Sequence, residues 1–242
     1  MLLLFDIDGT LLRGAADAHS QALRRALYEV YGVGDEQGSA TALPTVAVAG
    51  RTDLEIAREI LLLCGRSARR IDEGLGALRE ACVREYALCA PADLSDCVVR
   101  GMGELLEWLA AVDEIELALV TGNLEPIARS KLARAGVGHH FRAGQGAFGS
   151  DSEDRSDLPA IARERAGNPG GPYPRQRTVV IGDTPLDIAC ARADAVRCLA
   201  VTTGSYRAEQ LAGADGVADS SAQLRELLER ELGLAGSGRL GG

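Results

Sequence analysis

Asp6 and Asp8 stand two residues apart in the segment Asp6-Ile7-Asp8-Gly9-Thr10, directly after an apolar run that begins at Leu2. Two carboxylates that converge at a strand end repel each other and need a cation or a shared proton. Gly9 permits a tight turn in which backbone N–H groups gather around an anion. The same D-x-D-G string also serves as a plain strand-terminating turn. A second acidic pair occupies Gly182-Asp183-Thr184-Pro185-Leu186-Asp187, again between an apolar run and a helix. Asp183 could join Asp6 and Asp8 in a cluster of hard oxygen ligands. Mg²⁺ suits such a cluster, with several waters and a substrate phosphate oxygen completing its octahedron. Asp187, on the first turns of the next helix, could support the metal's ligands from behind, or be a favourable charge at a helix N-terminus.

Two further segments fit an anion. Thr121-Gly122-Asn123 offers a hydroxyl, a free backbone N–H and an amide where a strand gives way to a helix, a small-anion cradle. Asn123 could equally be the N-cap of that helix. Arg155, in Asp154-Arg155-Ser156-Asp157, carries a fork that matches phosphate oxygens, or is a solvated surface side chain.

These residues need elements to position them. The runs Leu2–Asp6, Leu117–Thr121, Thr178–Asp183 and Arg197–Thr202 are short and apolar, several rich in Val and Ile, and read as buried parallel strands. Helical stretches over Glu125–Ala135, Asp157–Ala166 and Pro185–Ala193 alternate with the later strands, which predicts an α/β fold with a parallel sheet. In an open parallel sheet, ligands bind beyond the carboxyl ends of the strands, where the four segments fall. Residues 14–92 break the alternation. An apolar stripe over Ala18–Tyr31, a helix opened by Thr52-x-x-Glu55 and a third over Ile71–Leu88 predict a helical insertion after the first strand. Gly74 and Gly76 weaken the first turn of that third helix. The segment from Gly233 on is Gly-rich, and a flexible tail is expected over 233–242.

Composition narrows the classes. The 242 residues carry a formal charge of −9 and are 46% apolar and 25% charged, which is ordinary for a globular protein. The acidic balance argues against nucleic acid as a partner. No apolar run approaches the roughly 18 residues of a membrane span, and a cytoplasmic protein, monomer or homodimer, is expected. The six cysteines form no C-x-x-C pair and are expected as free thiols. Of the 26 basic residues, only Lys131 is lysine.

The joint pattern is D-x-D-G-T after the first strand, a hydroxyl-Gly-Asn turn, a basic residue, then G-D-x-x-x-D after a late strand. In this the chain, over about residues 1–230, resembles the haloacid dehalogenase-like hydrolase superfamily, in particular its phosphoglycolate phosphatase-like branch. The resemblance implies a Rossmann-like core from residues 1–13 and 93–232, with 14–92 as a helical cap. It implies a Mg²⁺-dependent phosphatase acting on a small phosphorylated metabolite, phosphoglycolate-like or a sugar phosphate. Asp6 would be the nucleophile that forms an aspartyl-phosphate, and Asp8 the general acid and then the base. Thr121, with the N–H of Gly122 or Asn123, would hold a phosphate oxygen. Arg155 would stand where the family has a lysine. Asp6, Asp183 and the backbone carbonyl of Asp8 would bind the metal, supported by Asp187.

The family's usual Lys-Pro is absent. Lys131, about two turns into the helix after Thr121, is read as packed or solvated rather than as its replacement. The resemblance also sorts the branches. Haloacid dehalogenases lack the second acid, here Asp8, and phosphonoacetaldehyde hydrolases use a cap lysine, which 14–92 does not contain. A β-phosphoglucomutase-like phosphotransferase stays open, as does a non-catalytic protein that binds Mg²⁺ or phosphate as a signal. On the cap, Arg51 could bind a substrate carboxylate or hydroxyls, and His19 could touch substrate; each could also be a surface side chain.

Overall fold

The computed structural model describes residues 1–233; apart from Gly233, the expected tail lies outside them. In chain order the elements are β1 (Leu2–Phe5), α1 (Asp17–Tyr31), α2 (Asp53–Leu63), α3 (Ala68–Cys89), α4 (Met102–Ala110), β2 (Glu116–Thr121), α5 (Glu125–Arg134), β3 (Ala147–Phe148), α6 (Leu158–Ala166), β4 (Thr178–Gly182), α7 (Pro185–Ala193), β5 (Arg197–Val201), β6 (Gly216–Ala218) and α8 (Ser221–Glu231). The six strands form one parallel sheet in the order β3-β2-β1-β4-β5-β6. This is a Rossmann-like α/β fold.

The near-continuous apolarity of the strands follows from burial on both faces. Successive side chains alternate across the sheet. Leu3, Phe5, Leu117, Leu119, Val179 and Ile181 face one layer, where α4 and α8 supply Leu105, Leu106, Leu224 and Leu228. Leu2, Leu4, Ala118, Val120 and Val180 face the other, against Leu158 and Ala162 of α6 and Ile188 and Ala191 of α7. β3 and β6 escape a reading by apolar runs because they are two and three residues long. α8 escapes because only Leu224 and Leu228 of it are buried.

Between β1 and α4 the chain makes helices and no strand. α1, α2 and α3 bury a cluster of their own, with Leu23, Leu27, Leu54, Ile60, Ile71 and Leu78 among its members. Leu124 and Ile127, at the start of α5, join this cluster. The third helix begins at Ala68, earlier than the sequence suggests, because Ser67 caps it by accepting from the N–H of Arg70. Gly74 makes room for Tyr31, whose hydroxyl donates to the carbonyl of Ile71 at 2.7 Å. All six cysteines are free thiols. Among the described residues no helix is long and apolar enough to cross a membrane.

Candidate active site

The strand order reverses direction between β1 and β4, and this is the switch point where open α/β sheets bind ligands. Phe5 pairs with Ile181, and the N–H of Asp6 donates to the carbonyl of Ile181 at 2.9 Å. Asp6 and Asp183 therefore leave adjacent strands side by side. Both are buried. Gly9, at φ +95°, lies so close to Asp183 that a Cβ there would stand 2.3 Å from its carboxylate, so any side chain at this position would displace the acid. Thr10 donates to Asp183 Oδ1 at 3.1 Å.

Oxygen atoms of Asp6, Asp183 and Asp187 lie within 4.8 Å of one another. Burial is the largest influence on Asp6, with the charges of Asp187 and Asp8 adding to it, and its carboxyl is raised to about 7 despite the opposing Arg155. Burial, then the charges of Asp6 and Asp187, raise Asp183 to about 8. Crowded carboxylates that resist ionisation lack positive charge, and a hard divalent cation answers that need. The donor set thus fits Mg²⁺: Asp6 and Asp183 are the carboxylates free to hold it. Asp187 is engaged on both oxygens. One accepts from the N–H and hydroxyl of Thr184 in a capping box, at 2.9 and 2.7 Å. The other accepts from Arg155.

Arg155 is buried in the turn just before α6, with one guanidinium nitrogen 3.1 Å from Asp6 Oδ1 and in direct contact with Asp187. It therefore comes to Asp6 as the sequence expects, and it is no solvated surface residue. Its Nε has no hydrogen-bond partner among the described residues. Thr121 and Asn123 converge on the same place from β2. Asn123 is not the N-cap of α5, a position held by Leu124. Its amide instead donates to Thr121 Oγ1 at 3.1 Å and to Asp8 Oδ2 at 3.0 Å.

The side chain of Asp8 does not join the other carboxylates. It turns away, and a residue that sequence reasoning set aside meets it. Lys131, fully buried, donates from Nζ to Asp8 Oδ2 at 2.6 Å. Lys131 is thus neither solvated nor mere packing. Burial is the largest influence on Asp8 and pushes its carboxyl up. The charge of Lys131, with hydrogen bonds from Lys131 and Asn123, outweighs it and holds Asp8 below the ordinary carboxylate range. The signal for Lys131 was periodicity: it lies four residues after Ile127 and three after Ala128, on the buried stripe of α5.

From Lys131 a chain of polar contacts runs into the helical insertion. Its Nζ is 3.1 Å from His19 Nδ1, and His19 Nε2 is 2.9 Å from Asp53 Oδ2. A protonated Lys131 makes Nδ1 the acceptor, so Nε2–H faces Asp53. Asp53 Oδ2 also accepts from the N–H of Leu124 at 2.8 Å, and the N–H of Asp53 donates to the carbonyl of Gly122 at 2.9 Å. A Cβ on Gly122 would lie 2.1 Å from the carbonyl oxygen of Arg51, so the glycine is what lets the start of α2 settle on the core. The acidic loop after β3 adds a second tie: Glu153 forks onto Arg58 of α2 at 2.5 and 2.8 Å, and its carbonyl accepts from Thr52 at 2.7 Å.

Asp6, Asp8, Asp183, Thr121, Gly122, Asn123, Arg155, His19 and Arg51 all line one cavity of about 510 Å³ between the sheet's end and the helical insertion. Arg51 differs from its expected role. Its guanidinium is committed to Glu55 at 2.8 Å, to Glu59, and to the carbonyl of Ala47 at 3.0 Å. These contacts use its Nε and one terminal nitrogen. Glu55 serves this pair, so the predicted capping box of α2 is half made: Thr52 accepts from the Glu55 N–H alone.

The family model described as "HAD: haloacid dehalogenase-like hydrolase" matches residues 3–192. No curated protein matches the chain. Among solved structures, it is similar to a β-phosphoglucomutase from Clostridium difficile, with 16% identity, 97% of each chain covered and a TM-score of 0.66. It is also similar to a predicted phosphoglycolate phosphatase from Haemophilus somnus, with 19% identity, 94% and 97% covered and a TM-score of 0.62. CbbY from Rhodobacter sphaeroides, solved with phosphate, gives 20% identity, 92% and 95% covered and a TM-score of 0.61. At these identities the likeness is one of fold.

Proposed function

The chain belongs to the haloacid dehalogenase-like hydrolase family, and on that premise we propose that it is a Mg²⁺-dependent phosphatase of a small phosphorylated metabolite. The observation that carries this reading is the meeting of Asp6, Asp183, Arg155, Thr121 and Asn123 at one end of a cavity, with Asp8 beside them. In this reading residues 14–92 form the cap over a core of 1–13 and 93–232.

Asp6 attacks phosphorus, the ester oxygen departs, and an aspartyl-phosphate remains on Asp6. Arg155 compensates charge on Asp6 and on the phosphoryl oxygens, where a guanidinium fork fits. Thr121 and the N–H groups of the following turn hold a phosphoryl oxygen in place. Asp6 and Asp183 would hold the Mg²⁺, which supplies charge neutralisation so that one anion can approach another.

Asp8 manages the protons. A phosphoryl dianion entering beside it raises its proton affinity, and in that state it gives its proton to the leaving oxygen. With the leaving group gone, Lys131 favours the ionised carboxylate, the form that takes a proton from the water attacking the aspartyl-phosphate. Lys131 and Asn123 fix where the carboxylate points.

The test is hydrolysis of p-nitrophenyl phosphate with and without Mg²⁺, by the parent enzyme and by Asp6→Asn. Mg²⁺-dependent release of phosphate that the variant loses is expected; full activity in Asp6→Asn would remove the nucleophile from the scheme. A phosphoglucomutase-like transferase would use the same Asp6 and Asp8, and isomerised sugar phosphate in place of free phosphate would identify it.

A further inference from the structure

We propose that the group cleaved from phosphate here is extended and mainly apolar, an alkyl or aryl alcohol rather than a sugar. The inference rests on the phosphatase reading and narrows it. The cavity has two unlike ends. The sheet end carries the carboxylates, Arg155 and the polar turn after β2. The opposite wall is built from Leu23, Leu43, Pro44, Val46, Ile56 and Ile60. Leu23, Ile56 and Ile60 are at most 7% exposed and belong to the core of the helical insertion; Leu43 and Val46 pack against that core. This face is therefore fixed by the fold and is apolar.

Two of the charged groups on that side are already engaged within the protein. Arg51 is held by Glu55, Glu59 and Ala47, and Asp53 by His19 and Leu124. Arg24 donates its Nε to the carbonyl of Gly38 at 2.7 Å and, with no carboxylate partner among the described residues, stays a cation on the cavity's rim. A sugar would press several hydroxyls against Leu, Ile and Val side chains, with Ser20, Thr45 and the guanidinium groups of Arg13 and Arg24 as the polar partners on that side, and polar groups left unpaired are costly to desolvate. An apolar body gains from the same contact.

A chain-length series reads this directly. Calorimetry with Mg²⁺ and n-alkylphosphonates from methyl to hexyl measures binding without turnover, beside initial rates for the matching n-alkyl phosphates. Kd is expected to fall, and kcat/KM to rise, by about fourfold per methylene, and Val46→Asp is expected to flatten both slopes. A flat parent series overturns the proposal, as does a higher kcat/KM for phosphoglycolate or glucose 6-phosphate than for butyl phosphate. Absence of phosphate release from every ester, with the phosphonate slope intact, would support the apolar site and overturn the phosphatase reading alone.

Discussion

Lys131 Nζ lies 2.6 Å from Asp8 Oδ2 and 3.1 Å from His19 Nδ1, so the single lysine of the chain joins the D-x-D segment to the helical insertion. Lys131→Met should separate the two jobs that Asp8 is given. Loss of the ammonium frees the carboxylate to reorient. Hydrolysis of an alkyl phosphate, which needs a proton at the leaving oxygen, should fall about 10²-fold or more. p-Nitrophenyl phosphate, whose leaving group departs unaided, should lose much less in its first step. Equal losses on both, measured as single-turnover rates, would assign Lys131 to packing. The variant should also lose roughly 1–3 kcal/mol of stability, below the usual cost of breaking a buried pair because Asp8 is 30% exposed.

Among the described residues, Arg155 is the cation that touches both Asp6 and Asp187. All three side chains are at most 6% exposed. Arg155→Met leaves two buried carboxylates facing each other and should destabilise the metal-free protein by about 3–5 kcal/mol, read by urea unfolding. Arg155→Lys restores charge without the fork and should recover stability better than it recovers KM for substrate.

Acidity and metal act together on the same cluster. Asp6 at about 7 and Asp183 at about 8 lie far above the unfolded-chain value of about 3.9. Between these limits the native state holds more protons than the unfolded one, so metal-free stability falls as pH rises from about 4 to about 8. His140 and the amino terminus, both lowered chiefly by burial, work in the opposite direction. Mg²⁺ binds the ionised carboxylates and should raise Tm more at pH 8 than at pH 6. At a hundredfold excess over Kd, about 2.7 kcal/mol of linkage corresponds to a rise of roughly 5–10 °C for a protein of this size. An equal shift at both pH values in a thermal melt would place the metal elsewhere.

His19 and Asp53 belong to α1 and α2, yet both face the core. A double-mutant cycle on His19→Gln and Asp53→Asn should give a coupling of about 0.5–3 kcal/mol, whereas Arg51→Met, whose guanidinium is paired with Glu55 and Glu59, should leave KM for small phosphate esters within about twofold. A tenfold rise in KM for Arg51→Met would show that the guanidinium leaves Glu55 and Glu59 for the substrate.

The sequence by itself determined the α/β sheet, the helical insertion and the meeting of Asp6, Asp183, Thr121, Asn123 and Arg155. Each stands at a strand end or in a turn that local residue chemistry marks, and an open parallel sheet gathers its strand ends on one edge. The tertiary structure alone decided where long side chains go. Lys131 and Arg51 are both flexible cations on or beside helices. The carboxylate that Lys131 meets, Asp8, lies far away in the chain, as does His19, whereas Arg51 meets Glu55 and Glu59 on the helix that it precedes. Periodicity could place Lys131 on a buried face, but only packing of α5 against both the sheet and the insertion could say that an unpaired acid waits there. The polarity of the cavity's far wall was out of reach for the same reason, since Leu23, Val46 and Ile56 come from three separate segments that only the folded insertion brings together.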